Sequence, residues 1–254
     1  MIEVLSYRQI SFDSAKTAPG QTLNSTMFFQ VPSYSTVDGS ARVTEFDEKP
    51  IVRWLMLHQP TRRFVFGEFG LPPDAYYQPE VIQPFYSPGE GDLDLVLCPR
   101  SAPTQAICLE CKRVKIEIVN EGQDRINKLQ GIARGVYQAN RLYNGPHSFF
   151  QTYLVIITEV VASRQNQSNI PMRGVRSHSR PERGDIGRTT FRQLVEFPSR
   201  ESLDHNIGIL FLELVQPSLV SIDTQASVRI CIYRRATPPE QRNSVTGRML
   251  ELMK

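Results

Sequence analysis

Two apolar runs in the middle of the chain carry charges that packing alone would not place there: DLDLVLC at 92–98 and QAICLECKRVKIEIV at 105–119. Both have strand-like composition. The PRSAPT segment between them is turn-like, so the spacing predicts a β-hairpin. Successive side chains of a strand point to opposite faces. In the first run Asp92, Asp94 and Val96 share one face, and Leu93, Leu95 and Leu97 share the other. In the second, Glu110 and Lys112 point away from Ile107, Leu109 and Cys111. With the two strands as neighbours, Asp94, Glu110 and Lys112 meet on one face. Burying a lysine is costly unless a charged partner accompanies it, so the trio reads as a site rather than as packing. The competing reading is an exposed salt-bridge network, which would contribute little to stability.

The flanking sequence predicts how this hairpin is clothed. A helix starts at Lys49-Pro50 and continues through PIVRWLMLH, with Pro60 ending or restarting it. LPPDAYYQPE reads as a proline-rich loop and EVIQPFY as a strand. Residues 124–143 have helical periodicity: Ile126, Leu129, Ile132, Val136 and Ala139 form the apolar face, and Asn127, Gln130, Arg134, Gln138 and Arg141 the opposite one. QTYLVIIT follows as a buried strand; TTFRQLVEF, GILFLELV, ASVRICIYRR and SVTGRMLELM then read as helix, strand, strand and helix. The order α-β-β-β-α-β predicts an α/β (α+β) protein, a mixed central sheet flanked by helices. The expected divisions are an N-terminal extension over 1–46, a core over 47–160, a basic loop over 161–190, and C-terminal strands and a helix over 191–254 packed on that core.

With 254 residues and 40% hydrophobic content the chain can bury a sizeable core without disulfides. Cys98, Cys108, Cys111 and Cys231 sit in apolar runs and read as reduced and buried. On a strand Cys108 and Cys111 face opposite ways, which argues against a zinc half-site. The start, MIEVLSYRQISFDS, lacks a signal-peptide pattern, and no apolar run approaches membrane-spanning length; the expectation is a soluble, intracellular (cytoplasmic) protein with no membrane partner. Net charge is only +3, but arginine greatly outnumbers lysine and clusters in the loop beyond residue 161. Arginine suits phosphate, although a GC-rich genome would give the same bias. The loop itself reads either as a phosphate grip or as a connector. His58, His147, His178 and His205 show no metal or triad spacing, and glycine-rich phosphate loops are absent.

Two carboxylates brought close repel, so they favour a cation between them, and hard oxygen ligands select Mg²⁺ or Mn²⁺. Asp94 and Glu110 are the candidate metal ligands, with the Cys111 carbonyl as a backbone ligand and Lys112 beside the attacking water or the phosphate. That combination points to phosphodiester hydrolysis. GEGDLDLVL followed by CLECKRVK resembles the PD-(D/E)XK nuclease superfamily: an acid opens one strand, and Glu-x-Lys follows in the next, here with fifteen residues between Asp94 and Glu110. No proline precedes Asp94, and Asp92 competes with it for the first position. The resemblance covers residues 50–158 and implies a restriction-endonuclease-like αβββαβ core and a metal-dependent nuclease acting on nucleic acid, with DNA as substrate. It also implies a catalytic polar residue on the following helix, for which Gln130 is the candidate, with Arg134 and Gln138 on its stripe. An early helix in this group often adds a glutamate; Glu48, Glu68 and Glu80 all compete. A homodimer is left open. The alternative is a catalytically inactive nuclease-fold module that binds nucleic acid or a protein.

Overall fold

Runs of Val, Ile and Leu long enough to be buried on both faces demand covering layers, and the chain supplies helices for each. The computed structural model describes residues 6–13, 48–85, 92–120, 123–127, 129–145, 148–162, 188–215, 225–239 and 245–254. TMFFQV and the arginine-rich loop over 163–187 lie outside them.

Eight strands form one mixed sheet, ordered β1-β8-β7-β6-β4-β3-β2, with β5 also paired to β4. They are β1 (Ser6–Asp13), β2 (Tyr76–Val81), β3 (Leu93–Cys98), β4 (Ile107–Asn120), β5 (Gln123–Asn127), β6 (Gln151–Ala162), β7 (Gly208–Val215) and β8 (Gln225–Arg234). The parallel pairs are β4 with β6 and β6 with β7. A parallel neighbour requires a crossover, and helices α3 (Leu129–Asn144) and α4 (Arg188–Arg200) lie in those two connections. The β3–β4 pair is antiparallel, as the hairpin reading expected. β1, from the N-terminal stretch, pairs with β8, so both ends of the chain contribute to the one sheet.

Helices α1 (Glu48–Leu57) and α2 (Gln59–Glu68) cover one face. Ile51, Val52, Leu55 and Met56 of α1 pack there with Leu95, Leu109, Cys111 and Val155. Pro60 restarts the helix: it occupies the first turn of α2, where a missing amide hydrogen costs nothing. On the other face α3 and α4 pack through Ile132, Val136, Ala139, Leu194 and Val195 onto Val114, Ile116, Leu154 and Ile156. Helix α5 (Thr246–Leu252) brings Met249 to a third cluster with Val96, Cys98 and Cys108.

Two expectations need correction. The helix expected over 124–143 starts later, because residues 123–127 instead form β5 on the far half of β4. Ile126 satisfies the helical spacing, but pairing with Ile116 across the hairpin supplies backbone partners that the first turn of a helix could not. The strand expected at EVIQPFY lies earlier: β2 occupies Tyr76–Val81, in the stretch read as a proline-rich loop. β2 is an edge strand, where a proline such as Pro79 leaves no ladder bond missing on its open side.

Candidate active site

The site arises from a gap in the pairing of β4. One edge of β4 is shared: β3 pairs with residues 107–109 and β5 with residues 115–120. Between them neither strand reaches, and backbone amides facing a buried edge must find other partners. Two carboxylates supply them. Cys111 N donates to Asp94 Oδ2 at 2.7 Å, and Arg113 N donates to Glu48 Oε2 at 2.9 Å. Asp94 opens β3 just where that strand parts from β4, and Glu48 begins α1. The acids therefore line a notch in the sheet and close its open hydrogen-bond positions.

Lys112 fills the notch. Its Nζ lies 2.6 Å from Glu110 Oε1, 3.3 Å from Glu48 Oε1 and 3.5 Å from Asp94 Oδ2, and donates to the Cys111 carbonyl at 2.6 Å. Asp94, Glu110 and Lys112 are 7%, 1% and 8% exposed, so this is a buried cluster and not an ion-pair face in water. The period-two reading of β4 holds in the packing: Ile107, Leu109 and Cys111 join the α1 side, while Val114 and Ile116 join the α3 side.

Three acids against one ammonium leave the cluster short of positive charge. Burial, reinforced by the charge of Asp94, pushes the Glu110 carboxyl up to about 8. Burial also raises Glu48, against the pull of Lys112. For Lys112, burial opposes the charged form, but Glu110, Asp94 and Glu48 together outweigh it and hold the ammonium above its ordinary range. Near neutral pH Glu110 therefore holds a proton that an exposed glutamate would release.

The other sequence candidates fall as follows. Of the three early glutamates, Glu48 joins the cluster. Glu80 stands at the rim with a left-handed backbone (φ 54°), paired with Arg53 and near Lys49. Asp92 also pairs with Lys49, at 2.6 Å, and takes no part in the cluster. Glu68 is buried elsewhere and acts electrostatically on Tyr153 and Cys231. Gln130 is exposed on the first turn of α3, and no hydrogen bond or ion pair of the cluster involves it. What α3 does bring to Lys112 is Gly135, which sequence reasoning passed over: a Cβ there would overlap Lys112 Cγ and touch Leu154. The available signal was a glycine in the interior of an amphipathic helix, which usually has a packing reason. Gln138, one turn further on, has a buried Oε1 without a hydrogen-bond partner among the described residues. Cys108 and Cys111 lie in different clusters on opposite faces, and all four cysteines are free and buried.

Four oxygens and no nitrogen or sulfur converge on one cationic atom, which is the donor chemistry a hard divalent ion requires. As the side chains stand, Lys112 Nζ takes that position, and among the described residues no three His, Cys, Asp or Glu side chains form a metal-holding group. No helix among the described residues is long and apolar enough to cross a membrane. Comparison of the chain with protein-family models, curated proteins and solved structures returned no match.

Proposed function

We propose that this chain is a metal-dependent nuclease of the PD-(D/E)XK kind, hydrolysing phosphodiester bonds, with DNA as its expected substrate. The observation that carries the reading is the set of four oxygens around Lys112 Nζ: three carboxylates from three separate elements, gathered in a buried notch. Such a cluster is expensive to bury, and structural need accounts for only part of it. The order α1-β2-β3-β4-α3-β6 follows the αβββαβ core of that superfamily, with α2 and β5 as additions; the restriction-endonuclease-like fold is part of this proposal.

Mg²⁺ or Mn²⁺ would be held by Asp94, Glu110 and the Cys111 carbonyl, with Glu48 beside them. When bound, the cation supplies Lewis acidity, polarising a phosphoryl oxygen and acidifying water. Asp94 and Glu48, by satisfying the amides of Cys111 and Arg113, hold the β4 edge clear of other strands so that a phosphate can approach. To act as a ligand Glu110 would release its proton to solvent water, and Lys112 would hold its ammonium against the phosphate and offset the charge that develops there. Gly135 leaves room for the lysine stem to do so.

The test is conversion of supercoiled plasmid to nicked and linear forms in Mg²⁺ or Mn²⁺. Asp94→Asn is the variant to run alongside, because its amide oxygen still accepts from Cys111 N and the fold is preserved. Metal-dependent cleavage by the wild type and a loss of at least 100-fold in the variant are expected. A wild type that cleaves no plasmid, linear, single-stranded or branched DNA would sink the reading. One observation favours a second reading, a non-catalytic binding module: Lys112 Nζ already occupies the position among the oxygens that a metal would take. That reading predicts no calorimetric signal for Mn²⁺.

A further inference from the structure

Helix α3 packs on the notch in a defined orientation. Gly135 lies on the stem of Lys112, and Leu142 joins Cys108 and Val96 beyond Glu110. Asn140 turns the opposite way, donating to Ser202 O and accepting from Asp204 N just after α4. At 3.6 residues per turn, Gln130, Arg134, Tyr137 and Arg141 then fall on one outward stripe, opposite the buried Ile132, Val136 and Ala139. All four are exposed, and Tyr137 is 68% exposed, the most open of the large apolar side chains among the described residues.

The charge of this layer is lopsided. α3 has two arginines and no acid, and α4 has three arginines and one acid, a surplus of four against +3 for the entire chain. Arg192 and Arg200 of α4 are both tied to Glu196. An open aromatic ring between two arginines seven residues apart, about 10 Å along a helix, matches a chain that alternates charged links with flat apolar bases. Aromatic rings provide stacking platforms for unpaired bases, and arginine forks grip phosphate. A duplex hides its base faces and would have no use for the ring.

We infer that the outer stripe of α3 is a docking track for single-stranded nucleic acid, with a base stacked on Tyr137 and the backbone held by Arg134 and Arg141. The purpose of the track rests on the nuclease reading, whereas the binding does not. It also accounts for a large exposed aromatic on the helix that covers Lys112.

The experiment is fluorescence anisotropy of an end-labelled oligo-dT 20-mer with the full chain, in EDTA so that nothing is cut, across a range of salt. Tyr137→Ala should weaken binding about ten-fold. Arg134→Ala with Arg141→Ala should reduce the slope of log affinity against log salt by about 1.4, two phosphates at roughly 0.7 each on a single strand. All three substitutions are at exposed positions, and circular dichroism checks that both variants fold. Wild-type affinity and slope in both variants would overturn the inference, as would equal loss on a blunt duplex that offers no open base. The two proposals fail separately. Plasmid cleavage that needs Asp94, with oligo-dT binding indifferent to the stripe, removes the track alone. Stripe-dependent binding without any metal-dependent cleavage removes the nuclease alone.

Discussion

Lys112→Met keeps an apolar stem beneath Gly135 and withdraws the ammonium from four oxygens. Because lysine and a divalent ion compete for the same atoms, the variant should bind Mn²⁺ about ten-fold more tightly by calorimetry, one removed charge contact being worth of order 1.4 kcal/mol, and should lose cleavage. Weaker or unchanged Mn²⁺ affinity would mean that the lysine is not holding the cation position. At this scale much of the site was legible in sequence. Alternation along two short strands puts Asp94, Glu110 and Lys112 on one face, because strand period is a local property that tertiary context seldom overrides. Glu48 was not legible. Its selection over Glu68 and Glu80 depends on where α1 begins relative to the notch, a distance across 65 residues of sequence to Arg113.

Among the elements, α3 and β4 set each other's tolerances. Gly135→Ala gains helix propensity of about 1 kcal/mol, but its methyl meets the lysine stem and Leu154. Overpacking of this kind costs roughly 1–3 kcal/mol, so a urea melt should show net destabilisation, with cleavage reduced through a displaced ammonium. Gly131→Ala on the same helix meets no atom within 4 Å and should instead stabilise by up to about 1 kcal/mol. If both substitutions stabilise, Gly135 is not the seat of Lys112. The start of this helix was not legible in sequence: residues 123–127 satisfy helical and strand patterns alike, and a non-local ladder to β4 decides between them. Gln130 lies in the first turn of α3 on its outward stripe, apart from the cluster. β2 was hidden for the complementary reason: its proline, Pro79, obeys edge-strand rules, and edge position is known only when the whole sheet is assembled.

For the molecule as a whole, the cluster makes stability depend on pH. Glu110 is raised from 4.5 to about 8, so the folded state binds more protons than the unfolded chain between those values. Its contribution is most favourable below about 4.5 and declines as pH rises toward about 8. Glu48, also raised, acts in the same direction. Lys112 is raised above 10.5, so its contribution stays constant across this window and is lost only at more alkaline pH. In EDTA the protein should therefore melt at a lower temperature at pH 8 than at pH 5. Glu110→Gln should flatten most of that difference and raise stability at pH 8 by an amount on the order of 1–3 kcal/mol, while abolishing cleavage. A variant less stable than the wild type at pH 8 would contradict the charge balance drawn here. The notch also bears on how the chain could change over descent. Asp94 and Glu48 each answer a main-chain amide that no strand reaches, so a lineage without the proposed chemistry would still be selected to keep an acceptor at both places. Glu110 answers no main-chain amide among the described residues: its carboxylate pairs with Lys112, and its burial is a standing cost. On the nuclease reading, drift would therefore erase Glu110 first, which makes it, of the three acids, the one whose retention in a descendant would speak for a site still in use.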